Sequence, residues 1–570
     1  MCAFPAQVPS HLGPAFRLAD EDLRALLERE PDPGVAAETE LDSYLAHRFL
    51  PWCSADGILV IATADMSAEN LAWIAAAHDD ACVAAIAPLD LHREIERRFR
   101  DRLSSDAVNG LLSKTPALSA CTVITQKQGL ALTFVGLAVA VACWAWPYAI
   151  APVLVAIMSA GFVFGTAFRV VLACLGARNP AAGATVPGRA SDEGLPPYTI
   201  LVPLYKEAAV LPELASALLA LDYPMEKLDI KLIVEEDDPE TCAAAEVWES
   251  QGPFEVVRVP HCLPRTKPKA CNYALRFARG DYLVIYDAED RPEPSQLRKA
   301  VERFRSRPRR TACLQARLEI YNSDENWLAR MFALDYAIWF RALLPGLDRF
   351  GVPMPLGGTS NHFRAAILRE VGGWDPFNVT EDADLGIRLA QLGYRVSMLD
   401  STTFEEAPAQ LGPWIRQRSR WLKGYMQTWL VHVRNPVSLV RRIGVRGVAV
   451  VQLFIGGGVW SALVNPLLWA IFAVSYVESQ AGTGRQVLAD VARISGLGLL
   501  TANIMLAGIA IVDSRRISRL ALVPYGLSFV FYWALVSVAA FRGLWQLVFK
   551  PFFWEKTPHR GTGASGALGA

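Results

Sequence analysis

Two uninterrupted apolar runs, residues 129–147 and 148–168, constrain the fold more than any other feature of this chain. Each is close to the ~20 residues that a helix needs to cross a ~30 Å hydrocarbon layer. A helix on the surface of a soluble core would keep a polar face, and neither run has one. They read as a membrane hairpin, with Trp144, Trp146 and Tyr148 at its turn, where an interfacial aromatic belt belongs. Arg169 and Arg178 follow, which assigns that end to the cytoplasmic side. Apolar runs return at 448–477, 494–512 and 520–541. The first of these is overlong and interrupted by Gly456-Gly457-Gly458 and Asn465-Pro466, so it has room for a hairpin or re-entrant piece. The basic loop 513–519 reads as cytoplasmic and the nearly neutral stretch 478–490 as external.

Composition agrees with a membrane protein. Of 570 residues, 52% are apolar and 20% charged, and the mean hydropathy is +0.23. A net charge of −1 provides no basic field for holding phosphates, so no nucleic-acid partner is expected. Ten cysteines without a CxxC pair indicate reduced thiols rather than a zinc site or disulfide framework.

The domain plan that follows is 1–125, a small soluble α/β unit; 126–178, the membrane hairpin; 195–430, a cytosolic α/β domain ending in interfacial helices; 447–549, membrane and interfacial helices; and 550–570, a tail. The first unit has a strand signal at 56–64 and a charged helical stretch at 91–103, with no catalytic constellation, which fits regulation or docking. No basic-then-apolar leader opens it, so the chain is expected to start in the cytosol. Within 195–430, short apolar strands at 198–203, 230–234 and 282–286 alternate with helical stretches such as 209–221. That alternation implies a mostly parallel sheet with its chemistry at the strand carboxyl ends. The basic run 303–310 reads as a solvated face.

Five motifs appear in order: Glu235-Glu236-Asp237-Asp238, Lys267-Pro268-Lys269-Ala270-Cys271-Asn272, Asp287-Ala288-Glu289-Asp290, Thr380-Glu381-Asp382 and Gln417-Arg418-Ser419-Arg420-Trp421. Together, over roughly residues 195–430 and with spans on both sides, the set resembles the cellulose-synthase-like family-2 glycosyltransferases of bacterial exopolysaccharide synthesis. The resemblance implies a glycosyltransferase-A-like α/β domain (a nucleotide-diphospho-sugar transferase) with an α-helical transmembrane bundle and the small N-terminal α/β domain. It also implies inverting, processive transfer of a hexose from a UDP-sugar, UDP-glucose favoured, to a growing polysaccharide threaded through the membrane. The site would be the bacterial inner membrane, with the catalytic domain in the cytoplasm among membrane lipids, and export partner proteins would assist. Single-sugar transfer to a lipid phosphate, and a non-catalytic transporter or receptor with a degenerate transferase domain, are the alternatives.

Each motif has a physical counterpart. A nucleotide diphosphate leaving group needs a divalent cation, and Mg2+ (or Mn2+) takes a few carboxylates plus phosphate oxygens. Asp287 stands at a strand end for this, with Glu289 and Asp290 as alternatives for the second acid, where the family shows an aspartate. By resemblance, Glu236, with Asp238 in reserve, contacts the nucleoside, and Lys269 and Asn272 lie near the diphosphate. The loop Pro203-Leu204-Tyr205-Lys206-Glu207 resembles the family's first nucleotide-contacting loop. Asp382, with Glu381 beside it, matches the catalytic acid that deprotonates the acceptor hydroxyl, although an acid there could also cap the helical run 383–392. Gln417, Arg420 and Trp421 share one helical face. Trp421 would stack on the acceptor sugar and Arg420 would bind diphosphate charge; the plainer reading of the stretch is a basic interfacial helix with a Trp anchor. The tail segment from Lys550 to His559 resembles the endings of bacterial members, with Lys556 and Thr557 placed as a gating pair over the nucleotide; a membrane-interface anchor is the alternative. The N-terminal unit resembles the N-terminal domain of type II secretion ATPases.

Overall fold

A computed structural model describes residues 26–32, 34–55, 57–78, 81–177, 192–480, 486–516, 525–526 and 528–555. The chain divides into two compact units between Ala107 and Val108. That is earlier than the boundary expected near 125, because the segment after 114 is tied into the second unit. Asp375 accepts hydrogen bonds from the Ser119 hydroxyl at 3.3 Å and the Ala120 amide at 2.5 Å. Arg434 donates to the carbonyls of Ala117 and Ser119 at 3.2 and 3.1 Å.

The N-terminal unit is built on a three-stranded sheet in the order β1 (Phe49–Ala55), β2 (Ile58–Thr63), β3 (Cys82–Ala85). β1 and β2 form the antiparallel hairpin that the turn before residue 58 requires, and β3 returns parallel to β2 after the helix Ala68–Ala77. Ser67 caps that helix by accepting from the Asn70 amide.

The second unit holds an eight-stranded sheet: β4 (Tyr198–Leu204), β5 (Leu228–Glu235), β6 (Phe254–Val259), β7 (Tyr282–Ile285), β8 (Arg291–Pro292), β9 (Thr311–Ile320), β10 (Asn361–Arg364) and β11 (Arg395–Glu405), in the order β6-β5-β4-β7-β10-β9-β11-β8. The run β6-β5-β4-β7 is parallel, as the strand–helix alternation requires. β10 runs antiparallel to both neighbours and β8 to β11, while β9 and β11 run with the first four, so the sheet is mixed but mostly parallel. Nearly every side chain of β4 and β5 is buried, the mark of strands covered on both faces. Register aligns their ends: Leu204 pairs with Val234, and Leu201 with Ile285. The segments that follow β4, β5 and β7 therefore emerge at one edge.

Among the described residues, four helices are long and apolar enough to cross a membrane: Gln126–Ala145, Pro147–Gly176, Pro436–Glu478 and Phe531–Phe549. The first begins with a capping box between Thr125 and Gln128. Trp144, Trp146 and Tyr148 at the hairpin turn are exposed. The stretch 448–477, with room for a hairpin or re-entrant piece, runs on as helix. After a break at Gly444 just before it, the chain passes through a π-helical turn at Val451–Gly456 and continues as Gly457–Gln480 with Pro466 inside. Arg178, residues 481–485 of the stretch 478–490 and residues 517–519 of the loop 513–519 lie outside the described residues. Among the described residues, no cysteine is in a disulfide.

Candidate active site

A cavity of about 510 Å³ lies at the carboxyl ends of β4, β5 and β7. Tyr205 and Glu207, Glu235, and Asp287 with Glu289 line it from the strand ends. Thr380, Glu381, Asp382, Gln417, Arg420 and Trp421 line it from two helices. Residues as far apart in the sequence as Tyr205 and Trp421 thus face a single space.

The fold achieves this by close helix contacts. The helix Glu381–Gln391 starts at Thr380, which makes no side-chain cap bond, so Glu381 and Asp382 occupy its first turn rather than the capping position. The dipole at a helix start favours negative charge there. Against it packs the helix Leu411–His432, whose Gly424 lies so near that a Cβ would meet the Thr380 hydroxyl at 2.2 Å. Gln427 accepts from the Val379 amide at 3.1 Å, and Asn378 donates to the Thr428 hydroxyl at 3.0 Å. These bonds hold the helix that carries Gln417, Arg420 and Trp421 against the one that carries the acids.

Asn272 bonds both ways with the backbone of Trp374, accepting from its amide at 2.9 Å and donating to its carbonyl at 2.8 Å. It thus anchors the loop that leads to Asp382 from beneath. Gly373 in that loop has φ +66°, and a Cβ there would stand 2.2 Å from the Asn272 amide oxygen.

Electrostatics at the site are strongly perturbed. Asp382 is buried, and its Oδ1 has no hydrogen-bond partner. Burial, with Glu381 and Asp287 nearby, holds its carboxyl well above the usual range, although Lys267 works the other way. Burial also raises Glu381. Lys267 Nζ lies 2.5 Å from Asp287 Oδ1 and 2.8 Å from the Gly358 carbonyl. Burial opposes its charge, but Asp287, Asp382 and Glu381 outweigh that and push its pKa up.

The remaining sequence candidates sit off the cavity wall. Asp290 is buried beneath the turn: its Oδ2 accepts from the Asp287 amide at 2.7 Å and from the Thr359 hydroxyl, and burial, with Glu405 next, raises its pKa. Glu289 is the member of that pair on the wall. Glu236 is exposed. Asp238 caps the helix Pro239–Glu249 and accepts from the Lys206 amide, bracing the loop after β4. Lys269 is fully buried and pairs with Glu235 at 2.9 Å.

Residues given no role in the sequence also line the space: Glu235, Lys267 and Arg418 inside the motifs, and Glu405 outside them. In addition, residues 550–555 turn back from the last span. Lys423 donates to the Phe553 carbonyl at 2.7 Å, Arg420 to the Glu555 carbonyl at 3.3 Å, and Trp554 joins the wall with Arg420 5.2 Å over its ring. Lys556 and Thr557 lie outside the described residues.

The donor set fits a hard cation. Asp287 and Glu289 present carboxylate oxygens at a strand end, and one or two carboxylates suffice when phosphates complete the shell. Among the described residues, no group of three or more His, Cys, Asp or Glu is spaced to hold one alone.

Residues 196–424 match the family described as "Glycosyltransferase like family 2". The chain therefore carries a glycosyltransferase family 2 domain, with a glycosyltransferase-A-like mixed sheet and apolar helices suited to a transmembrane bundle. It is 25% identical over 257 residues to a probable glycosyltransferase, YdaM, of Bacillus subtilis (strain 168), a match covering 45% of this chain and 61% of that protein. It is 27% identical over 254 residues to glucomannan 4-beta-mannosyltransferase 2 of Arabidopsis thaliana, covering 41% of this chain and 45% of that protein. The matches thus span less than two thirds of either relative. Among solved structures, mannosyltransferase PcManGT from Pyrobaculum calidifontis, in complex with GDP-Man and Mn2+, is similar with TM-score 0.44 at 18% identity, covering 70% of this chain and 99% of that one. S. aureus TarS 1–349 in complex with UDP-GlcNAc has TM-score 0.28 at 12% identity, covering 57% and 92%.

Proposed function

We propose that this protein is an inverting, processive hexosyltransferase that uses a UDP-sugar, UDP-glucose first, to extend a polysaccharide. Its domain would face the cytoplasm at a bacterial inner membrane, with the product passing into the membrane and to export partners beyond. The observation that carries this reading is that Asp287, Asp382 and Trp421 line one cavity, which continues to residues of the membrane helices such as Phe454 and Trp533.

The acceptor's terminal sugar would rest on Trp421 with a hydroxyl toward Asp382. As that oxygen bonds to the anomeric carbon from the face opposite the diphosphate, the bond to the diphosphate breaks and the proton passes to Asp382. Arg420 and Lys267 would place positive charge beside the departing UDP. Asp287 and Glu289 would hold Mg2+ or Mn2+, which supplies Lewis-acid charge to the leaving group when bound. Glu235 and Tyr205, at the strand ends, would face the nucleoside.

Two expected outcomes test this. EDTA should reduce transfer to background and excess Mg2+ or Mn2+ restore it; turnover that persists in chelator would remove Asp287 and Glu289 from the cation role. In a time course with radiolabelled UDP-glucose, long products should be present at the earliest points. If single-sugar adducts accumulate instead, repeated transfer is excluded.

A further inference from the structure

The chemistry above leaves the membrane-side end of the cavity unused. Arg169, from the span Pro147–Gly176, lines it with Asp335, Tyr425, Tyr532 and Trp533. Arg418 already takes Asp335: its Nη2 lies 2.6 Å from that carboxylate and 2.8 Å from the Tyr532 hydroxyl. Arg169 is left without an ion pair among the described residues. Its Nε is buried with no hydrogen-bond partner, and its guanidinium lies 5.8 Å from the Trp533 ring centroid. The indole Nε1 of Trp533 is likewise buried with no acceptor. Two cations against one carboxylate, and two orphaned donors from different helices, converge on one space. Buried donors are almost always satisfied, and an ionisable side chain inside a membrane bundle marks a binding or transport site.

Contacts set the order along the cavity. Asp382 and Trp421 both line it. Arg418 lies 4.6 Å over Trp421 and bonds Tyr532. Trp533 and Arg169 follow, and the spans add the aliphatic Ile455, Ile509 and Val536. Base, sugar-stacking ring, cationic donor pair and aliphatic wall match an acceptor made of sugar, phosphate and lipid. We propose that Arg169 and Trp533 bind the phosphate of a lipid-linked saccharide, which primes the first transfers. This rests on the function proposed above and deepens it by naming the primer.

The test uses the full-length protein in nanodiscs and three primers: farnesyl-diphosphate-linked glucose, octyl glucoside and octyl glucuronide. The phosphorylated primer should show a KM about tenfold below octyl glucoside. Arg169→Gln should shrink that ratio toward one, and Arg169→Lys should keep part of it. Equal KM values for phosphorylated and neutral primers with the unmodified protein would overturn the proposal, whatever the variants do. A preference for the glucuronide would also overturn it and assign the site to an acidic sugar. Hydrolysis of UDP-glucose without primer, read in parallel, separates the two failures. Hydrolysis with no primer preference sinks only the primer site, and its absence together with all transfer sinks the hexosyltransferase reading too.

Discussion

Asp382→Asn should slow sugar transfer about 10³-fold while leaving the affinity for UDP nearly unchanged. A positioned base contributes roughly 10² to 10⁴ to such a reaction, and asparagine keeps the size of the side chain while losing the lone pair that takes the proton. Donor binding would be spared because Tyr205 and Glu235, proposed to face the nucleoside, belong to other segments than the helix of Asp382. The buried, unpartnered Oδ1 of Asp382 makes it the stronger candidate of the two acids at this helix start. Its pH behaviour gives a second check. Burial, then Glu381, raise its pKa, so the proton is retained to higher pH than on an ordinary carboxylate. The acid limb of the kcat profile should therefore lie above the usual carboxylate range, with activity lost as pH drops through it. Near-normal turnover by Asp382→Asn, measured with saturating UDP-glucose, would remove Asp382 from the role.

Much of this site was legible from residue order, and the parts that were not have physical reasons. Strand–helix alternation gave the parallel run β6-β5-β4-β7, since β4, β5 and β7 carry short, mainly apolar runs. It could not reveal β10, whose four residues Asn361–Arg364 are polar but for Phe363 and find their place only between β7 and β9. The spacing of Gln417, Arg420 and Trp421 fixed their common face because helical period alone decides it. Lys267 and Lys269 are only two apart, roughly 200° around a helix, so one reaches the cavity while the other is buried on Glu235. Sequence cannot say which without the helix's orientation. The four acids after β5 pose the same problem. Glu235 still belongs to the strand and lines the cavity, whereas Glu236 is beyond its end and exposed. Arg169 read as a topology marker because an arginine after an apolar run usually is one. Its place on the cavity wall depends on packing against Gly458, where a Cβ would meet its Nη2 at 2.6 Å. Contacts between residues so distant in sequence leave no local pattern.

Arg388→Met should cost about 3–5 kcal/mol of stability, the range for breaking one side of a buried ion pair. Arg388 is fully buried within the helix Glu381–Gln391. Its Nη1 and Nη2 donate to the carbonyls of Val371 and Gly373 at 3.0 and 2.6 Å, and its Nε lies 3.5 Å from Asp384 Oδ2. His432 Nε2 stands 3.0 Å from Asp384 Oδ1, and Gln391 meets the other ring nitrogen at 2.6 Å, which binds this helix to the one carrying Trp421. Methionine fills the volume but strands a buried carboxylate and two carbonyls. Asp384→Asn alone should cost less, since the amide keeps the size and most contacts. The double variant should fall short of the sum of the single effects, because Arg388 and Asp384 share one interaction. Thermal unfolding in detergent reads these differences, and the transfer rate should fall with them, because Gly373 leads directly to the loop that seats Asp382. An Arg388→Met protein with unchanged melting would show that the charge cluster does not hold the catalytic helix. Full additivity of the two substitutions would show that the pair is not coupled.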